Sequence, residues 1–201
     1  MTEAERERRR RFDALFRENI AGIASYCSWR SRSSGDEQDA VAEVFLTVWR
    51  RLDDVPAGEA AQPWLYATAR RVMANQARAQ ARRARLNEKL TTVSSNDEGG
   101  AQQSEDPVAA LVHDVLCRLT PRDREVLLLA EWEVLSPAEI AKVLRCPAVT
   151  ARGRLHRARR RFRAAYDESQ AQSDASEARR QLPGGGAAHL IQPSRQIASE
   201  R

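Results

Sequence analysis

The stretch LSPAEIAKVLRCPAVTARGRLHRARRRF, from Leu135 to Phe162, contains two helix starts separated by one tight turn. Ser136-Pro137-Ala138-Glu139 sets a hydroxyl cap, a proline at the first helical position and a capping-box Glu in order. The helix it opens reaches only to Leu144, about two turns, before Arg145-Cys146-Pro147 interrupts it. A second helix follows, with seven arginines between positions 152 and 163. On a helical wheel Ala151, Leu155, Ala158 and Phe162 gather on one side. Gly153, His156, Arg157 and Arg160 gather opposite, flanked by Arg152. One face is made for a core and the other for an anion. A short capped helix, a turn and a cationic helix have the proportions of a helix-turn-helix, whose second helix enters the DNA major groove. Arginine suits that position because its planar fork bonds guanine bidentately or grips phosphate. Cys146 reads as a small residue filling the turn.

Helical period governs the rest of the chain as well. Phe12, Leu15, Phe16, Ile23, Tyr26 and Cys27 form a first stripe. After SRSSGD, a second runs through Val41, Val44, Phe45, Val48, Trp49 and Leu52. A third helix opens near Trp64, beyond the loop DDVPAGEAAQP, and extends to about Arg85. From Val108 another stripe begins, and Thr120-Pro121 caps one more helix. The reading is therefore all-α, with two small helical domains: residues 1–88, a linker over 89–106, a second domain over 107–167, and a tail over 168–201 without apolar period. The linker carries Asp97, Glu98, Glu105 and Asp106 with paired glycines, and is expected to be flexible and acidic.

Charge narrows the partners. The formal net charge is +5 and the pI about 9.6, with arginine far outnumbering lysine, which favours a polyanion. Cys27, Cys117 and Cys146 lie far apart, and His113, His156 and His189 have no ligand spacing, so no metal or cofactor is expected. No apolar run approaches a membrane span and the first residues lack a signal-peptide core, so the expectation is a cytoplasmic protein without membrane insertion. No Gly-rich phosphate loop appears, and the acids on the second stripe's outer side suit docking better than metal catalysis, so no enzymatic activity is expected.

Two more faces carry candidates. On the third helix Arg71, Asn75, Arg78 and Arg82 fall along one side, and the Asn can bond a base edge where arginine favours phosphate. On the second helix Asp36, Asp39, Glu43, Leu46 and Arg50 lie opposite the apolar stripe. This mostly acidic row would repel DNA and attract a basic protein surface, with Leu46 as an apolar anchor.

DEQDAVAEVFLTVWRRLDDV, PWLYATARRVMANQARAQARR, LTPRDREVLLLAEWEVLSPAEIAKVL and CPAVTARGRLHRARRRF resemble, in this order, segments of bacterial extracytoplasmic-function (ECF) sigma factors of the sigma-70 family. The resemblance implies region 2 in the first domain and region 4 in the second. It implies binding to core RNA polymerase at the β′ clamp helices and the β flap, recognition of the −10 and −35 promoter elements, and promoter melting. It also implies an anti-sigma factor as a further partner. Asp36, Asp39, Glu43, Leu46 and Arg50 then correspond to the clamp-docking surface. The loop from Asp54 to Pro63, with Ala61, corresponds to the pocket for a flipped −10 base, beside Arg71, Asn75, Arg78 and Arg82. Thr150, Arg152, Gly153, Arg154, His156, Arg157 and Arg160 correspond to the −35 reading helix. Ala42 departs from the pattern, standing where Gln is common. The alternative reading, a stand-alone helix-turn-helix regulator, would need a sensor pocket in the first domain, where the sequence places outward-facing charged helices instead.

Overall fold

The computed structural model describes residues 2–31, 33–88 and 106–181, so the linker's acidic stretch up to Glu105 and the end of the tail lie outside the described residues. All regular structure among the described residues is helical. The first domain comprises α1 (Glu3–Ser28), α2 (Ser34–Arg50) and α3 (Ala61–Glu88). The second comprises α4 (Pro107–Arg118), α5 (Pro121–Leu127), α6 (Pro137–Leu144) and α7 (Ala148–Gln181).

Local chemistry explains most of the helix starts. Thr2 and Glu5 form a reciprocal capping box on α1, and the Ser33 hydroxyl accepts from the Asp36 N–H at the start of α2. Asp106 caps α4 ahead of Pro107, and Thr120 caps α5 ahead of Pro121. Ser136 and Glu139 form the expected box on α6. The Ser136 hydroxyl, helped by its backbone N–H, holds the Glu139 carboxyl below the usual carboxylate range. Two short 3-10 turns, Leu52–Asp54 and Gly58–Ala60, bring the chain into α3 three residues before Trp64, and Gly58 takes a φ of 62°, where a side chain would be strained.

In the first domain Ile23, Val44, Val48, Leu65 and Ala69 are wholly buried between α1, α2 and α3. Cys27 joins them, and burial pushes its thiol up to about 12. In the second, Val115, Val126, Leu129, Ile140, Ala151 and Ala158 fill the centre. Trp49, expected in the second stripe, stands at the core's margin at 38% exposure, against Phe12 at 5.2 Å and under the Arg8 guanidinium at 5.3 Å.

Two features depart from the sequence expectation. The tail does not begin at residue 168, because α7 continues to Gln181. Ser169 is buried there and accepts from Arg118 of α4 at 3.1 Å. This turn is held by a polar contact and by helix propagation rather than by an apolar stripe. Further, the two domains pack on one another, α3 against α6, within one continuous hydrophobic cluster. Glu125 of α5 is only 7% exposed, and its Oε1 accepts from Tyr26 at 2.8 Å and from Arg70 at 3.0 Å, with Arg30 Nη1 also at 3.0 Å. Tyr66 donates to the Glu133 carboxylate, Gln62 donates to the Glu133 carbonyl at 3.3 Å, and Trp29 lies 4.8 Å from the His113 ring.

Between α5 and α6, a π-helical turn (Leu128–Trp132) is followed two residues on by Val134, which is 82% exposed with φ 54°. A β-branched residue in the left-handed region is strained by about 1–3 kcal/mol. Val134→Gly therefore raises stability by about 1 kcal/mol after the greater freedom of the unfolded chain is counted, moving the midpoint up by about 2–4 °C. Thermal denaturation followed by circular dichroism checks this, and an unchanged or lower midpoint contradicts it.

Candidate nucleic-acid and protein interfaces

The turn between α6 and α7 closes through Arg145 in the left-handed conformation, φ 52°, and through the Cys146 N–H donating to the Ala141 carbonyl at 3.0 Å. This bond lets α7 restart at once with Pro147 just before its first residue, its carbonyl accepting from Thr150 and Ala151. Ala151, Leu155 and Ala158 are buried as the wheel required. Arg152, His156, Arg157 and Arg160 are exposed, while Thr150, Gly153 and Arg154 are half-buried at the edge. A Cβ on Gly153 would meet the Arg157 guanidinium at 3.4 Å, so the glycine leaves Arg157 room to lie along the helix. The seven arginines have different duties. Arg159 is bonded to Glu131 at 2.8 Å and Arg161 to the buried Asp123 at 2.5 Å, anchoring α7 to the rest of the domain. Val149 was not singled out by sequence reasoning, yet it is 71% exposed in the helix's first turn.

On α3, Arg71, Asn75, Arg78 and Arg82 are all exposed. Arg78 donates to the Asn75 side-chain oxygen Oδ1 at 2.5 Å, which leaves the Asn75 amide hydrogens as donors. At the N-terminal end of the same helix, a cavity of about 550 Å³ opens between the loop Pro56–Glu59 and α1. Ala61 lies on its floor at 7% exposure, and Arg11, Glu18, Asn19 and Gln62 supply polar edges. Arg11 donates to the Val55 carbonyl at 2.5 Å and fixes the loop against α1.

On α2, Asp39, Glu43, Leu46 and Arg50 are exposed on one side, with Leu46 at 41%. Asp36 is set apart from this row. It is half-buried and accepts from Gln80 of α3 at 2.8 Å, so it ties α2 to α3.

Residues 15–83 match sigma-70 region 2, and residues 109–162 match sigma-70 region 4. The chain is 33% identical over 147 residues to the ECF RNA polymerase sigma-E factor of Escherichia coli (strain K12), covering 68% of this chain and 76% of that protein. This chain belongs to the ECF sigma factors of the sigma-70 family. The RNA polymerase sigma-H factor of Pseudomonas aeruginosa is 30% identical over 134 residues, 62% of this chain and 69% of that one. The fold agrees with the sigma factor RpoE in its complex with the anti-sigma factor NepR from Bartonella quintana, with TM-score 0.63, 19% identity, and coverage of 78% of this chain and 96% of that one. It also agrees with CnrH in complex with the cytosolic domain of CnrY, with TM-score 0.55, 22% identity, and coverage of 78% and 88%. As an alternative sigma factor it binds core RNA polymerase and directs it to specific promoters. Among the described residues, no helix of this sigma factor is long and apolar enough to cross a membrane.

Proposed function

We propose a residue-level division of labour for this sigma factor. Region 2 docks on the β′ clamp helices through Asp39, Glu43 and Leu46, with Arg50 at the end of the row and Asp36 acting from behind as a brace to α3. The loop cavity over Ala61 takes a flipped −10 base, and Arg71, Asn75, Arg78 and Arg82 lead the single strand along α3. In region 4, Arg152, His156, Arg157 and Arg160 enter the major groove at the −35 element, with Thr150, Gly153 and Arg154 at the edge and Val149 on a thymine methyl. The protein acts in the cytoplasm, where its polymerase and promoters are, and catalyses no reaction of its own. The observation that carries the reading is the arrangement on α7: two arginines are spent on intraprotein ion pairs, and an outward cationic set remains on a helix held at the end of a capped turn. One relative in fold is seen with the anti-sigma factor NepR, and we assign this chain a regulator of that kind as a further partner.

Transcription in vitro with core polymerase on a genomic fragment library tests the whole, since start sites that need this protein define its promoters. On such a promoter Arg157→Ala costs about 1–3 kcal/mol and relaxes preference at one base pair, as expected of a base contact. Unchanged preference with only a shallower salt dependence makes Arg157 a phosphate contact and removes it from the reading set.

A further inference from the structure

Region 4 carries an open cavity of about 970 Å³ between α4, the end of α5 with its π-helical turn, and α7. Its walls are mainly apolar: Val112 and Leu116 of α4, Leu127 and Trp132, and Phe162 with Tyr166 of α7. Leu116 and Leu127 are buried, whereas Trp132 stays 48% exposed. Phe162 and Tyr166 stack along one side, with ring centroids 6.1 Å apart. Pockets that take small ligands have this size and make-up, mostly apolar with a few converging polar groups. The π-helical turn supplies both Trp132 and Glu131 to the lining, and such turns are rare and found mostly at functional sites.

Charge decides what the cavity can hold. Arg159, Arg160 and Arg163 line it together with Glu131 and Asp167, so three guanidinium groups face two carboxylates. Arg159 is already bonded to Glu131 at 2.8 Å. Arg160 and Arg163 are exposed, and among the described residues neither has an ion pair. One net positive charge therefore remains, with the His156 ring on the same wall. A single anionic head balances that charge, and a nucleotide polyphosphate would overshoot it. The far end of the cavity lies outside the region 4 match, which stops at residue 162. Arg163, Tyr166 and Asp167 belong to the continuation of α7, which the bond from Arg118 to Ser169 holds in place.

We propose that this cavity is a binding site for a free amphipathic carboxylate, with an aliphatic chain lying over Leu116, Trp132 and Tyr166 and a head group held between Arg160 and Arg163. The apolar walls draw the chain out of water, and the guanidinium forks match a carboxylate in shape as well as charge. Occupancy bears on transcription because Arg160 and His156 also belong to the set assigned to the −35 element. A carboxylate seated beside them neutralises part of that set and sets a negative charge near the DNA phosphates. Ligand and −35 DNA therefore oppose each other, each weakening the other by the same factor. This antagonism rests on the −35 reading of α7, whereas the site itself does not. Arg157 lies outside the cavity lining, so the Arg157→Ala promoter experiment judges that reading separately.

Isothermal titration of the full-length chain with dodecanoate, kept below its micelle concentration, tests the site. Dodecanoate binds saturably, whereas dodecyltrimethylammonium, of equal chain length and opposite charge, does not. Trp132→Ala removes an exposed part of the apolar wall and weakens dodecanoate about fivefold or more. Arg163→Glu turns the one net positive charge of the lining into one net negative charge, so this variant rejects dodecanoate and accepts dodecyltrimethylammonium. Misfolding cannot imitate such an exchange of preference. In transcription from a promoter that needs this protein, saturating dodecanoate raises the holoenzyme concentration for half-maximal activity about fivefold or more, and it leaves that of Arg163→Glu holoenzyme unmoved. No saturable dodecanoate binding, equal binding of both amphiphiles by wild type, or an Arg163→Glu variant with wild-type preference each overturns the site. Retention of the chain on phosphatidylglycerol vesicles in place of binding to free dodecanoate overturns it too, and makes this surface a membrane contact. Saturable binding with unchanged transcription overturns the antagonism.

Discussion

Asp39→Lys combined with Glu43→Lys abolishes capture of core RNA polymerase by this sigma factor while its thermal midpoint stays near that of wild type. Both acids are exposed on α2, and the helix is held from its opposite side by Ala40, Val44, Phe45 and Val48, so the reversal touches none of the packing. Reversal converts two attractions into two repulsions around Leu46, whose 41% exposure leaves it as the apolar centre of the patch. Close charge pairs across protein interfaces couple by about 1.5–7 kcal/mol, so losing two exceeds a hundredfold in affinity even at the low end. Asp36→Lys separates docking from bracing. Its partner is Gln80 within the same domain, so this change loosens α2 from α3 and lowers the midpoint. Normal pull-down of core by the folded double variant would remove the acidic row from the interface.

Shortening the connection between the domains gives the second large effect. Residues Thr91 to Pro107 number about 17 and span at most about 55–60 Å when extended, which matches the separation of the two promoter elements. Removing about ten of them leaves a reach of about 25 Å, too short for two-element binding. Footprinting of holoenzyme built on the shortened chain shows protection at one element only. Replacement by Gly and Ser at equal length keeps both, because reach and effective concentration depend on length before sequence. Full protection at both elements by the shortened chain would refute the tether.

The parts of this molecule that were legible in the sequence are the parts written locally. Ser136 with Glu139 and Thr120 with Pro121 announce helix starts within four residues, and Ala151, Leu155 and Ala158 announce a buried face within two turns. The contact between the domains has no such signature. Tyr26 and Glu125 lie 99 positions apart, and each reads in its own neighbourhood as an ordinary helix residue. The same limit hid the separate duties of the arginines, since Arg159 and Arg161 differ from Arg157 and Arg160 only in facing Glu131 and Asp123 across the domain. The tie from Asp36 to α3 was hidden for a related reason: a wheel drawn for α2 alone does not show Gln80 arriving from α3. Past Tyr166 the loss of apolar period reads as the end of the helix. One buried serine bonded to Arg118 carries α7 further, and a single polar contact leaves no periodic trace.

The unequal cysteines make this sigma factor its own reporter. Cys27 is sealed in the region 2 core with its thiol held protonated, so it is slow toward maleimides and toward oxidants at neutral pH. Cys117 is exposed on α4 of region 4, four residues from the His113 ring that lies against Trp29 of region 2. A fluorophore attached there sits beside the seam between the domains, and Trp29 is close enough to quench it by contact. With the half-buried Cys146 changed to Ser, brightness of a singly labelled molecule would then follow the seam in real time, as core polymerase is added.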